Sequence, residues 1–123
     1  MKEDFTPVFL DFARLKALHY VRKLPSCTFE GYLYCFARIF NAFSRLGFLC
    51  FLRIDWSPDY TEKSYHVDIR FNKGITKGYI CASAVIYDDG NPSNHVELLT
   101  KEINGMCKRI NDWYFNPKTS PLL

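Results

Sequence analysis

A chain of 123 residues can bury a real core without metals or disulfides to hold it. At 48% hydrophobic and 17% aromatic, with eleven Phe and eight Tyr, its composition excludes a disordered segment. Net charge is only +3, yet residues 12–53 hold seven basic side chains against one acid, Glu30, so the basic excess lies in the N-terminal half.

The five cysteines (Cys27, Cys35, Cys50, Cys81 and Cys107) are odd in number, include no CxxC pair and sit among apolar neighbours. They read as small buried hydrophobes of a reducing, cytoplasmic compartment rather than as disulfides or a zinc site. Met1–Asp4 lacks the basic start and apolar run of a secretory signal. The most apolar stretch, Phe29–Leu52, is broken by Glu30, Arg38, Asn41, Arg45 and Gly47, so nothing approaches the roughly 20 clean residues of a membrane span. One α+β domain over 1–123 is expected, with 116–123 a loose tail.

Thr6-Pro7 signals a helix start, and Pro25 a stop. Projected at about 100° per residue, Phe9, Leu10, Ala13, Ala17, Tyr20, Val21 and Leu24 form a core stripe. Val8, Phe12 and Leu15, with His19, form a second apolar stripe opposite, edged by Lys16 and Lys23 on one side and by Asp11 and Arg22 on the other. The first expectation is a helix sandwiched between two layers of its own domain. The alternative is an exposed partner-binding face.

The second helix runs from about Thr28 to Leu46, with Ser26 or Thr28 as cap, Glu30 in its first turn and Gly47 as its stop. Phe29, Tyr32, Leu33, Cys35, Phe36, Ile39, Phe40, Ala42, Phe43 and Leu46 make it the main core helix. From Phe48 the period becomes two: Cys50, Leu52, Ile54 and Trp56 alternate with Leu49, Phe51, Arg53 and Asp55. Ser57-Pro58-Asp59 turns the chain. In the second strand Tyr65, Val67, Ile69 and Phe71 face inward and His66, Asp68 and Arg70 outward. Asn72-Lys73-Gly74 turns again, with Lys77-Gly78 as a possible extension of the loop. A third strand, about Tyr79–Tyr87, sets Ile80, Ala82, Ala84 and Ile86 inside, the alanines fitting beneath a closely packed helix.

Asp88-Asp89-Gly90-Asn91-Pro92 breaks the chain, and Asn94 with Glu97 resembles a capping box opening the third helix. Its apolar stripe is Val96, Leu99, Ile103, Met106, Ile110 and Trp113. The expected fold is α+β in the order α-α-β-β-β-α: a three-stranded antiparallel sheet with one face covered by helices two and three. From residue 28 onward that element order is similar to the double-stranded RNA-binding domain. The likeness is one of element order only, because Asn94-His95-Val96-Glu97 stands where such domains carry a lysine-rich signature, and Glu97 repels phosphate.

The outer sheet face presents Arg53, Asp55, His66, Asp68 and Arg70, with Phe51, Tyr79, Ser83 and Tyr87 among them. Such residues make either an ordinary solvated face or a recognition surface. His66 and Asp68, with Cys81 across from them, invite a cysteine–histidine–aspartate arrangement, but residues two apart on a strand are about 7 Å apart at the backbone. No phosphate loop, HExxH or GxSxG occurs. His19, His66 and His95 lie on different elements without metal-ligand spacing and read as surface residues. No catalysis, cofactor or metal is expected.

The leading expectation is a non-catalytic protein-binding module, a small intracellular inhibitor in the style of an antitoxin or immunity protein, that occludes a toxin or enzyme. Its contact residues are expected on the outer sheet face (Arg53, His66, Asp68, Arg70, Tyr79) or the second stripe of helix one (Val8, Phe12, Leu15). The alternative is a nucleic-acid-binding domain using Arg14, Lys16, Arg22, Lys23, Arg38 and Arg45. A homodimer closed by the spare stripe is a third reading, and no membrane partner is expected.

Overall fold

Six main elements follow one another in the order α-α-β-β-β-α: α1 (Pro7–Val21), α2 (Phe29–Ser44), β1 (Leu49–Trp56), β2 (Lys63–Phe71), β3 (Ile80–Tyr87) and α3 (Pro92–Phe115). The computed structural model describes residues 7–27, 29–56, 63–72, 75, 78–87 and 92–115, and the side chains of all these except Phe29, Glu30, Trp56 and Pro92. The expected turns at Ser57–Asp59 and Lys73-Gly74, the breaker at Asp88–Asn91 and the tail at 116–123 lie outside the described residues.

Pro7 occupies the first position of α1, where its missing N–H costs nothing. The helix buries Leu10, Ala13, Ala17 and Val21, and also Leu18, whereas Phe9 is 54% exposed. Its buried arc is turned from Phe9 toward Leu18 because α1 packs against both α2 and α3. The expected sandwich is corrected: among the described residues no further layer covers the opposite side, where Val8 is 60% exposed, Phe12 66% and Leu15 47%. Past α1, a short 3₁₀ turn over Leu24–Ser26 absorbs Pro25. The Ser26 hydroxyl donates to the Lys23 carbonyl (2.9 Å), so Ser26 closes this turn instead of capping α2. Thr28, the other candidate cap, is outside the described residues.

The end of α2 follows from one glycine. Gly47 adopts φ 88°, a left-handed conformation that side chains resist. The chain therefore folds back, and the Phe48 N–H reaches the Phe43 carbonyl (3.3 Å) while the Gly47 N–H reaches that of Ser44 (3.0 Å). This is a Schellman closure, and its usual apolar contact is present as the Phe43 and Phe48 rings, 5.2 Å apart.

The sheet has the order β1-β2-β3, antiparallel throughout. In the central strand Tyr65, Val67, Ile69 and Phe71 are buried, and in β3 Ile80, Ala82, Ala84 and Ile86, so the period-two reading holds residue by residue. β3 begins at Ile80, one residue later than expected. Ala82 and Ala84 let α3 approach β3 closely. From that position Glu102 accepts the Ser83 N–H (3.3 Å) and Arg109 donates to the Cys81 carbonyl, occupying part of an otherwise open strand edge.

α3 starts at Pro92 rather than at Asn94, so the capping-box reading is corrected: Asn94 is an exposed third residue of the helix, and proline takes the first position. Leu99, Ile103, Met106, Ile110 and Trp113 are buried as the stripe requires, with Cys107 added and Val96 only half-buried. Aromatic rings tie the core at both ends. Phe43, Phe48, Phe71 and Trp113 form a chain with successive centroids 5.1–5.6 Å apart at one end, and Tyr32, Phe36 and Tyr65 cluster at the other. Truncating a fully buried ring such as Phe36 or Phe43 to alanine is expected to cost about 3–5 kcal/mol.

Candidate functional site

Cross-strand register places the outer face in rows: Leu49–Arg70–Cys81, Phe51–Asp68–Ser83, Arg53–His66–Val85 and Asp55–Ser64–Tyr87. Leu49, Phe51, Tyr79, Val85 and Tyr87 are all exposed. The charged residues among them pair with one another. Asp55 Oδ2 accepts from Arg53 Nε (3.1 Å) and lies 2.9 Å from His66 Nε2, while the Arg53 guanidinium rests against the imidazole, 3.4–3.5 Å from its nitrogens.

Asp68 Oδ2 accepts from both Nε (3.0 Å) and Nη2 (2.7 Å) of Arg70. Because Arg70 follows Asp68 by two on a strand, both side chains share a face and meet. The guanidinium is also held between two rings, 5.1 Å from the centroid of Phe51 and 4.6 Å from that of Tyr79. Its hydrogen bond to Asp68 raises its pKa further above an already high value. Asp68 Oδ1 is buried with no hydrogen-bond partner among the described residues.

The cysteine–histidine–aspartate arrangement is not assembled. Cys81 is opposite Arg70, four residues along β2 from His66, or about 13 Å at roughly 3.3 Å per residue. Burial, and then Asp68, push its thiol pKa up, away from the thiolate a nucleophile requires. His66 engages Asp55, not Asp68.

The residues of the second expected surface lie together on α1. Val8, Phe12 and Leu15 project from α1 as an exposed ridge. The basic residues divide into two groups. Arg14 is committed within the fold, paired with Asp11 (2.7 Å) and donating to Asn104 (3.1 Å) on α3. Lys16, Arg22, Lys23, Arg38 and Arg45 are exposed and make no ion pair among the described residues. Two of them lie over rings: Lys23 on Tyr20 (5.3 Å) and Arg38 on Tyr34 (5.1 Å), and those two tyrosines meet edge to face at 6.2 Å.

Of the histidines, His19 is exposed and His66 part-exposed, but His95 is buried, correcting the surface reading. His95 Nε2 lies 2.7 Å from the Tyr87 carbonyl and Nδ1 2.8 Å from the Tyr32 hydroxyl. The carbonyl can only accept, so Nε2 carries a proton and donates to it, while Nδ1 and the Tyr32 hydroxyl share a hydrogen bond. One side chain thus straps α2 and α3 to the end of β3. Residue pattern offered no signal for this, because Tyr32 stands 63 residues from His95 and Tyr87 is reached across the residues that join β3 to α3. The face residues Leu49 and Val85 were implicit in strand alternation without being singled out.

Among the described residues no group of three or more His, Cys, Asp or Glu is placed to hold a metal, and no helix is long and apolar enough to cross a membrane. The fold is α+β, three helices with a three-stranded antiparallel sheet. No protein-family model, curated protein or solved structure matches the chain.

Proposed function

We propose that the protein is a non-catalytic protein-binding module, a small inhibitor in the style of an antitoxin or immunity protein, that covers a partner through its outer sheet face. One observation carries the reading: the charges on this face neutralise one another locally, while Leu49, Phe51, Tyr79, Val85 and Tyr87 stay exposed around them. A partner that docks here gains apolar burial without stripping water from an unpaired ion, and Arg70 is already immobilised between rings. Phosphates gain little on such a face, because Asp55 and Asp68 already occupy its arginines. The ridge of Val8, Phe12 and Leu15 is the alternative seat, taken in place of the sheet face and not together with it. Five free cysteines suit a reducing, cytoplasmic setting.

Affinity purification from the native host tests this, comparing the wild type with Phe51→Asp, Tyr87→Asp and Phe12→Asp variants of unchanged stability. The expected result is one partner recovered by the wild type and the Phe12 variant and lost from both sheet variants, whose activity falls when the purified chain is added. Loss only with Phe12→Asp transfers the interface to α1. Equal recovery by all four ends the proposal.

A further inference from the structure

The outer side of the α1–α2 pair is built on the opposite plan from the sheet. The two helices contain two acids, Asp11 and Glu30. Asp11 is taken by Arg14. Glu30 stands one turn before Tyr34, and its side chain is outside the description. Against them stand five exposed cations without an ion pair among the described residues: Lys16, Arg22 and Lys23 on and just after α1, and Arg38 and Arg45 on and just after α2. Arg22 lies on the far edge of α1, but Lys16 and Lys23 share the other edge and Arg38 and Arg45, seven residues apart, share one side of α2. Unpaired cations in this number on one helix pair fit a polyanion, whose condensed counterions they would displace.

Rings alternate with these cations where the helices meet. His19 lies edge-on to Tyr20 (5.1 Å), Tyr20 edge-on to Tyr34 (6.2 Å), Lys23 over Tyr20 and Arg38 over Tyr34. Tyr34 is 53% exposed, so part of its ring meets solvent beside Arg38 and Tyr20. An acidic protein segment would use the cations and have no need of the rings. Duplex nucleic acid would use the phosphate contacts alone, since its bases are stacked on one another. A single strand uses both, with bases on rings and phosphates on cations.

We propose that the Lys23–Tyr20–Tyr34–Arg38 ladder of α1 and α2 binds single-stranded nucleic acid. The site lies on different elements from the outer sheet face and stands or falls without it.

Fluorescence anisotropy of a labelled oligothymidylate titrated with the full chain over a salt series tests the site. Four phosphate contacts, from Lys16, Lys23, Arg38 and Arg45, predict binding at low salt, with log K falling against log salt at a slope of about −2.8. Lys23→Ala with Arg38→Ala should bring the slope to about −1.4. Tyr34→Ala should weaken binding roughly tenfold, with Tyr34→Phe close to wild type. Phe51→Asp and Tyr87→Asp should leave it unchanged, which separates this site from the sheet face. Circular dichroism confirms that each variant is folded. The proposal is overturned by an absence of binding at low salt, by preference for a duplex of equal length, by an unaltered slope in the double variant, or by displacement with poly-L-glutamate when Tyr34→Ala has no effect.

Discussion

On the outer sheet face, Arg53 and Arg70 have carboxylates within hydrogen-bond distance, whereas on the outer side of α1 and α2 five cations have none among the described residues. Both surfaces carry exposed rings, so aromatic content does not distinguish them. What differs is whether charge has been satisfied before any partner arrives. A satisfied face rewards shape and apolar contact, and an unsatisfied one rewards countercharge. The difference has a local cause. On a strand, Arg53 and Asp55, or Asp68 and Arg70, are two apart and necessarily share a face. On α1 and α2 the acids are too few to meet every base.

The strongest test of this contrast reaches beneath the helical surface. Burial pushes the Cys107 thiol, on the α3 side that meets α1, up to about 12, and those of Cys35 and Cys50 to about 11. These thiols stay protonated in the folded chain at pH values where the unfolded chain ionises them. Their stabilisation is therefore full below about pH 9 and is lost as the pH rises toward 12. For Cys107 the loss is of order 4 kcal/mol. Urea denaturation along an alkaline series should fall steeply for the wild type and less steeply for Cys107→Ala. Parallel curves would break the assignment.

Next in size is the strap that joins the two regions. His95→Ala leaves the Tyr32 hydroxyl and the Tyr87 carbonyl without their imidazole partner, at an expected cost of about 3 kcal/mol, against about 1–2 kcal/mol for Tyr32→Phe. Equilibrium unfolding of the two variants checks the order, and a smaller loss for His95→Ala than for Tyr32→Phe would mean that the carbonyl bond contributes nothing.

Converting one surface into the other is a milder perturbation. Asp55→Asn with Asp68→Asn frees Arg53 and Arg70, and oligothymidylate binding at low salt should rise about tenfold if unpaired charge governs polyanion capture. An unchanged affinity would show that arginines on the sheet are too immobilised to serve. The smallest effect separates paired from unpaired cations within α1: Arg14→Ala should cost up to about 1 kcal/mol and Lys16→Ala under about 0.5, measured as a shift in urea midpoint.

Much of this molecule follows from short-range pattern. The alternation of Tyr65, Val67, Ile69 and Phe71 with His66, Asp68 and Arg70 dictates which residues meet solvent, because side chains on a strand point to opposite faces in turn. Gly47 marks the end of α2 for an equally local reason. Where the reading failed, the missing information lay in distant neighbours. Phe9 and Leu18 compete for the core according to where α2 and α3 stand around α1. The second stripe of α1 is exposed because no other element among the described residues covers it, a fact no helical projection contains.

Residue types and spacing alone determined the element order, the greasy underside of the sheet and the list of side chains displayed above it. Only tertiary packing decided that Asp55, not Asp68, takes His66, that Arg14 is spent on Asp11 and Asn104, and that His95 is drawn inside to bind Tyr32 and Tyr87. The reason is one of range: periodicity assigns a residue to a face, while pairing depends on which residues of other elements are brought within about 3 Å of it.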